Sequence, residues 1–381
     1  MKVLSIVFNP FINDSRILKE GITLTRAGYS VKVAALHSEG LAINDNVQGI
    51  QVIRLKIFSR KWKGKIAKII KYAEVTAKLL PMLHRTDIVH CNDLDPLPVC
   101  VIAKALSGGR LRVVYDAHEF ETEQTASPNK VLHWLMVRIE HFCIKFVDAA
   151  ITVSDGIADQ YANRYGIDKP AVVYNTPFAP EIAKTDIFRR KFGLADDTKI
   201  VLYQGGLAEA RGLEIMLAAF RKIADRKFAL IVMGSGPLKE EIITIAEQSD
   251  NIFFHEAVSP DELLNYTASA EAGLLLYPNT CLNNYYCLPN KFFEYIMAGL
   301  PVIANDLYEV GRLIRQFDCG IILKSAGPEE IIAAVNRLFG PDYPRYRENT
   351  LKMVPHFQWE DQERTLLDIY RNLQLRDRLA K

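Results

Sequence analysis

Residues 288–306, LPNKFFEYIMAGLPVIAND, place a proline where a helix starts, a glycine where it stops and a second proline at the head of an apolar run. Pro289 suits a first helical turn, because its missing N–H would be unpaired there anyway. The free N–H groups of Asn290 and Lys291, together with the helix dipole, make a ready anion site. Glu294, one turn further in, is placed to accept hydrogen bonds from a ribose diol. Such punctuation also occurs in ordinary helices, so its meaning depends on its company. A second candidate is His118, which follows the apolar run VVYDA within Asp116-Ala117-His118-Glu119. A histidine between carboxylates at a strand end is a better acid–base candidate than a lone one. Asn9, Pro10, Asp14 and Arg16 form another strand-end group, in which Asp14 reads equally as a helix N-cap and Arg16 as a surface residue.

The elements that must position these groups follow from short Val/Ile/Leu-rich runs alternating with longer helical patterns. Strands are expected at Val3–Phe8, Val31–Leu36, Ile50–Leu55, Ile88–Cys91, Leu111–Tyr115, Ala149–Val153 and Ala171–Tyr174. A second set falls at Ile200–Tyr203, Phe228–Met233, Ile252–Phe254, Ala272–Leu276, Pro301–Ala304 and Gly320–Leu323. Continuous apolar runs mean strands buried on both faces, as in parallel sheets covered by helices. With 381 residues, two such doubly wound domains are expected. The sequence divides into a first domain over 1–176, a linker over 177–197 containing Pro177 and Pro180, and a second domain over 198–357. A terminal amphipathic helix over 358–381 is expected to pack back on the first domain. In such folds ligands bind at the C-terminal strand ends, here on either side of one cleft.

Composition excludes several classes. A net charge of +2 points to no nucleic-acid partner. The six cysteines form no Cys-x-x-Cys pair and read as reduced, buried thiols of a cytoplasmic protein. The opening MKVLSIVFNP is too short for a signal segment, and no window has the apolar length of a membrane span.

Taken together, the segments resemble the GT-B glycosyltransferases, particularly the large retaining group 1 (family 4-like) set. The resemblance runs along nearly the whole chain: NDSRILKEGITLTRAGYSVKV, VVYDAHEFETE, VLYQGGLAEARGLEIML, LIVMGSGPLKEEI, the helix after Pro289, and FQWEDQERTLLDIY. It implies transfer of a sugar from a nucleoside-diphosphate sugar to an acceptor hydroxyl with retention, in cell-surface polysaccharide, lipopolysaccharide or glycolipid synthesis. By the same resemblance Glu294 holds the donor ribose, and Asn290 and Lys291 meet the diphosphate. Gly205 and Gly206 let the backbone approach the phosphates, and the Gly234–Gly236 turn belongs to the same donor site. Arg211 supplies a fixed cation against the leaving phosphate. His118 comes near the reacting sugar carbon, with Glu119 fixing its tautomer or capping the next element. Asn9, Asp14 and Arg16 fall on the acceptor side.

Three departures from that pattern stand out. Tyr286 occupies the position of a usual first glutamate; Gly206 and Arg211 take those of an arginine and a lysine; and the first-domain loop lacks the common glycine pair. Asp93-Leu94-Asp95 spells a metal-binding pair of the other glycosyltransferase architecture, but Pro96 follows directly, so Asp95 is expected to cap the helix running to Leu106. No metal is expected, and no cofactor beyond the nucleotide-sugar co-substrate. A nucleotide-sugar epimerase of the same fold, or a catalytically silent partner of another transferase, remains an open alternative.

Residues Arg60–Lys78 are rich in lysine. On a helix Ile66, Ile69, Ile70, Ala73, Ala77 and Leu80 share one face, with Lys61, Lys65, Lys68, Lys71 and Lys78 opposite. Two readings stand. Either the apolar face packs on the sheet and the lysines are solvated, or the helix docks on an anionic membrane surface presenting a lipid-linked or saccharide acceptor. The second reading makes the protein peripheral on the inner face of the membrane.

Overall fold

A computed structural model of the chain describes residues 1–12, 14–124, 129–178, 184–209, 211–223, 225 and 227–379, the last three without side chains. Residues 179–183 of the expected linker and the last two of the expected terminal helix lie outside the described residues. The chain forms two compact units, Met1–Tyr174 with Gln362–Lys381, and Asn175–Asp361. Each is a Rossmann-like layer of helices on a largely parallel sheet.

The first unit runs β1 (Lys2–Ile6), α1 (Ser15–Arg26), β2 (Ser30–Leu36), β3 (Asn44–Val47), β4 (Ile50–Leu55), α2 (Lys65–Leu83), β5 (Ile88–Asn92), α3 (Leu97–Leu106), β6 (Arg112–Ala117), α4 (Lys130–Cys143), β7 (Ala149–Thr152), α5 (Asp155–Tyr165) and β8 (Ala171–Val172). Its sheet order is β3-β4-β2-β1-β5-β6-β7-β8. The central strands β1, β5 and β6 are buried on both faces, so both are covered by helices. Right-handed crossovers then put α1 on one face and α2, α3 and α4 on the other. The strand absent from the sequence reading is β3. Its residues, Asn-Asp-Asn-Val, carry no apolar pattern, and only antiparallel pairing with β4 through the Gln48-Gly49 turn makes it a strand.

The second unit begins with α6 (Ile187–Phe192) and continues through β9 (Lys199–Gly206), α7 (Leu213–Lys222), β10 (Phe228–Ser235), α8 (Lys239–Glu247), β11 (Ile252–Glu256), α9 (Pro260–Thr267), β12 (Ala272–Leu275), α10 (Leu282–Tyr286), α11 (Asn290–Met297), β13 (Val302–Asn305), α12 (Tyr308–Phe317), β14 (Gly320–Leu323), α13 (Pro328–Leu338) and α14 (Tyr343–Met353). Its parallel sheet has the order β11-β10-β9-β12-β13-β14. Order reverses between β9 and β12, the kind of switch point at which such sheets take ligands. A closing helix, α15 (Trp359–Leu379), belongs to the first unit from Gln362 onward. There Thr23 donates to Glu363, and Tyr370 shares a hydrogen bond of 2.8 Å with His90.

Two expectations are corrected. Helix α3 is capped by Pro96 without a side-chain hydrogen bond, so Asp95 does not cap it. Asp95 is instead exposed, and its carbonyl accepts from the Tyr72 hydroxyl. Helix α2 buries Ala67, Val75, Leu79 and Leu83, so the one of its two readings that packs the isoleucine face on the sheet does not hold. Ile66, Ile69 and Ile70 point outward.

Candidate functional site

In the second unit the first strand ends at Gln204-Gly205-Gly206, and Gly205 adopts φ +124°, a conformation that disfavours a side chain. A Cβ at Gly205 would lie 3.2 Å from the Lys291 ammonium. The turn after β10 fits beneath this strand end. A Cβ at Gly234 would meet the Gly205 carbonyl at 1.9 Å, and one at Gly236 the Leu207 carbonyl at 2.4 Å. Close backbone packing therefore accounts for both glycines. It leaves Gly205 and Gly206 exposed at the mouth of the site.

Helix α11 starts as expected, with Pro289 as its N-cap and no side chain capping its first N–H groups. Asn290 is exposed and accepts from the Asn175 amide through its own side-chain oxygen. Lys291 differs from the sequence reading, which valued only its backbone. Its side chain is buried, with Nζ 4.0 Å from the Tyr203 ring centroid and 5.7 Å from that of Tyr277. Burial lowers its pKa to about 7, against the pull of Glu294 and helped by Arg211. The Arg211 guanidinium lies over the Tyr277 ring, 4.6 Å from its centroid. Two cations, two tyrosine rings and a bare glycine strand end thus surround the helix start.

Glu294 is held by a residue that the sequence reading missed. Gln204 donates to its Oε2 at 2.5 Å, and the Gln204 carbonyl oxygen accepts from Thr267 at 2.9 Å. The Gln204 amide orientation is therefore fixed, and with it one oxygen of the carboxylate. The sequence signal was position: Gln204 directly precedes the glycine pair at a strand end. Tyr286, in place of the family's glutamate, joins an aromatic cluster with Tyr285 and Tyr308 at centroid distances of 5.0 and 5.1 Å. Beside it opens a pocket of about 500 Å³ lined by Tyr285, Asp306, Tyr308, Arg312 and Arg315.

In the first unit, His118 sits just past β6 with its side chain 18% exposed. Its Nε2 lies 3.2 Å from Asp116 and 3.2 Å from the Asn92 side-chain oxygen, and its Nδ1 3.7 Å from Asp93. Burial opposes the imidazolium, but Asp93 and Asp116 outweigh it and hold the pKa up to about 9. This shift favours the imidazolium, a hydrogen-bond donor, at neutral pH. Glu119 is exposed.

Asp116, two residues earlier on the same side of the strand, organises the centre. It takes two hydrogen bonds from Arg16, at 2.7 and 2.9 Å, and approaches both His118 and His90. Arg16 is thus neither a surface residue nor part of an open loop; it is buried and also donates to the Val173 carbonyl. Asp14 caps α1 by accepting from the Ile17 N–H, and Asn9 donates to Asp14 while accepting from the Phe11 N–H. Glu20, His90 and Asp116 come close enough to share a cation. Arg16 already supplies that charge, with its guanidinium on Asp116 and 3.2 Å from Glu20. Burial and the Asp116 charge nevertheless raise Glu20 to about 7.

A parallel α/β unit that offers a glycine strand end, a helix start and buried cations to an anion has the construction of a nucleotide-binding Rossmann-like domain. Comparison with known proteins agrees. Residues 20–176 match the family described as Glycosyltransferase Family 4, and residues 198–340 the family described as Glycosyl transferases group 1. An uncharacterized glycosyltransferase of Methanocaldococcus jannaschii is 24% identical over 375 residues, covering 93% of this chain and 92% of its own. The alpha-D-kanosaminyltransferase of Streptomyces kanamyceticus is 27% identical over 42% of this chain and 40% of its own. Among solved structures, sucrose-phosphate synthase from Thermosynechococcus elongatus superposes with a TM-score of 0.79 at 16% identity, covering 98% and 99% of the two chains. Anabaena HepE in complex with UDP-glucose gives 0.74 at 14% identity, covering 98% and 100%. The chain belongs to the group 1 glycosyltransferases of GT-B fold.

Proposed function

We propose that this chain transfers a glycosyl group from a nucleoside-diphosphate sugar to an acceptor hydroxyl, with retention, in the synthesis of a cell-surface polysaccharide, lipopolysaccharide or glycolipid. The observation that carries the reading is the buried Lys291 ammonium between the Gly205 strand end and the α11 start, one turn from a Glu294 held by Gln204. The N–H groups of Asn290 and Lys291, with the Lys291 and Arg211 cations, would bind the diphosphate, and Glu294 the ribose. The same cations would stabilise charge on the departing diphosphate, which is the role a metal plays elsewhere.

In this reading the bond from the sugar C1 to the phosphate oxygen breaks as the acceptor oxygen attacks from the same face. The departing phosphate oxygen takes the acceptor proton. His118 serves as a charged donor to sugar or acceptor hydroxyls, held by Asp116. The HepE complexes with UDP and UDP-glucose support a UDP-sugar as the first donor to test. No helix of the described residues is long and apolar enough to cross a membrane. The reading places the enzyme in the cytoplasm, peripheral on the inner membrane face through Arg60–Lys78, where a lipid-linked or saccharide acceptor is presented.

A thermal-shift screen against UDP-, GDP-, dTDP- and CMP-sugars identifies the donor, since a ligand at about 100 times its Kd stabilises by about 2.7 kcal/mol. Glu294→Ala should abolish that shift for the nucleotide that gives it. An unchanged shift in the variant would remove Glu294 from the site.

A further inference from the structure

Helix α4 is built inside out. It turns its one carboxylate inward, where Glu140 accepts hydrogen bonds from the hydroxyls of Tyr115, Tyr161 and Tyr165 at 2.6, 2.7 and 2.5 Å. Outward it presents Val131, Trp134, Leu135 and Phe142, with Trp134 57% exposed. A helix that spends its inner face on a carboxylate and its outer face on aromatic side chains is patterned for an apolar exterior. The reversed orientation of α2 repeats the arrangement, because Trp62, Ile66 and Ile69 stand outward, the two isoleucines at 75% and 70% exposure. Helix α3 packs against both and adds Leu106, so the three helices form one surface within the first unit.

Charge selects the occupant. The three helices carry two acids in all, Glu74 and Glu140. Glu140 is buried, and Glu74 is taken up by the Phe58 and Ser59 N–H groups and the Ser59 hydroxyl. Lys61, Lys65, Lys68, Lys130, Arg138 and Lys145 are exposed around the apolar residues. Outward apolar and aromatic side chains with cations and no outward acid match the boundary of an anionic bilayer, where tryptophan prefers the headgroup level.

We propose that the α2–α3–α4 face is a membrane-docking surface for anionic lipid, with Trp62 and Trp134 as its two interfacial anchors. This deepens the membrane contact in the reading above and rests on it for its purpose, the delivery of the enzyme to a lipid-linked acceptor. The helix α4 half of the surface is not visible in the basic stretch Arg60–Lys78.

The test uses the full chain with vesicles of phosphatidylcholine alone or with about 30% phosphatidylglycerol, followed by flotation and tryptophan emission. The chain has three tryptophans, of which Trp359 is buried and the other two lie on this face. Anionic vesicles should therefore shift the emission to the blue and float the protein. Trp134→Glu and the pair Lys65→Glu/Lys68→Glu should each lower partitioning by about tenfold or more, since each acidic residue or lost cation near the surface costs roughly 1 kcal/mol or more. Thermal midpoint and nucleotide-sugar affinity should stay at the parent values, because none of these residues belongs to the donor site. Equal partitioning of parent and Trp134→Glu, or equal partitioning into neutral and anionic vesicles, would overturn the proposal. So would a self-association that Trp134→Glu breaks, combined with no vesicle binding by the parent, since a second copy would then cover the face. Loss of nucleotide binding in the parent would count against the transferase reading alone.

Discussion

Lys291 should take up a proton when the donor binds. Its ammonium is buried against Tyr203 and Tyr277 with a pKa near 7, while Arg211 adds to the repulsion. A diphosphate in contact with it would return the favour lost with water and restore a value near that of an ordinary lysine. At about pH 7 roughly half of the free protein carries this proton, and at about pH 8 roughly one-tenth does. Uptake on binding should then be about 0.5 proton at pH 7 and about 0.9 at pH 8, and affinity should fall about fivefold between these pH values. Calorimetry in HEPES and Tris, whose ionisation enthalpies differ, reads the uptake directly. The ligand should be the intact nucleotide sugar, whose diphosphate diester does not titrate in this range. Lys291→Met should abolish the uptake and weaken binding by about 10- to 100-fold, the value of a charge-assisted hydrogen bond. The same variant should fold at least as stably at neutral pH, because the folded pKa lies below the unfolded one. In the parent, stability on this account rises as pH climbs from about 7 towards 10.5. No proton uptake and a flat affinity from about pH 7 to 8 would refute the placement of the diphosphate on Lys291.

Other consequences follow from the two hydrogen-bond clusters. Gln204→Leu removes the donor that fixes Glu294 and should weaken nucleotide binding about tenfold in calorimetry, with little loss of thermal stability, because the Thr267 hydroxyl keeps its hydrogen bond to the Leu263 carbonyl. Asp116→Asn takes the charge from the carboxylate that binds Arg16 twice and leaves the buried guanidinium with Glu20 and the Val173 carbonyl, so urea unfolding should show a loss of up to about 3–5 kcal/mol. The same change should bring the His118 pKa down towards 6.5, read from the imidazole resonances in a proton-detected titration. His118 has a folded pKa above its unfolded one, so its stabilisation is complete below about pH 6.5 and lost as pH rises through about 9. The loss amounts to at most about 3–4 kcal/mol and should be absent from that window in His118→Gln.

Much of the fold was legible because buried parallel strands leave continuous apolar runs, and each of the thirteen expected strands has a counterpart. The missing one, β3, is held by backbone pairing at a sheet edge and has no apolar signature. At the site, Pro289, Gly205 and Gly299 were readable because they answer local backbone needs. Lys291 was read only for its N–H because the sequence gives no sign that the Tyr203 and Tyr277 rings would enclose its side chain. Arg16 and Asp116, a hundred positions apart, meet only through the sheet. The two readings of α2 stayed open for a different reason. An amphipathic pattern states which residues share a face, not which face meets the protein. In the structure the face of Ala67, Val75, Leu79 and Leu83 is buried and the lysine-flanked isoleucines stand outward.

The central claim is that a nucleoside diphosphate sits at the start of α11. A crystal structure of the chain with the nucleotide sugar that stabilises it most tests this directly. The account predicts diphosphate oxygens within hydrogen-bond distance of the Asn290 and Lys291 N–H groups and the Lys291 ammonium, with a ribose hydroxyl on Glu294. A nucleotide bound elsewhere, with Lys291 still enclosed by Tyr203 and Tyr277 and Glu294 still bonded only to protein, would contradict it.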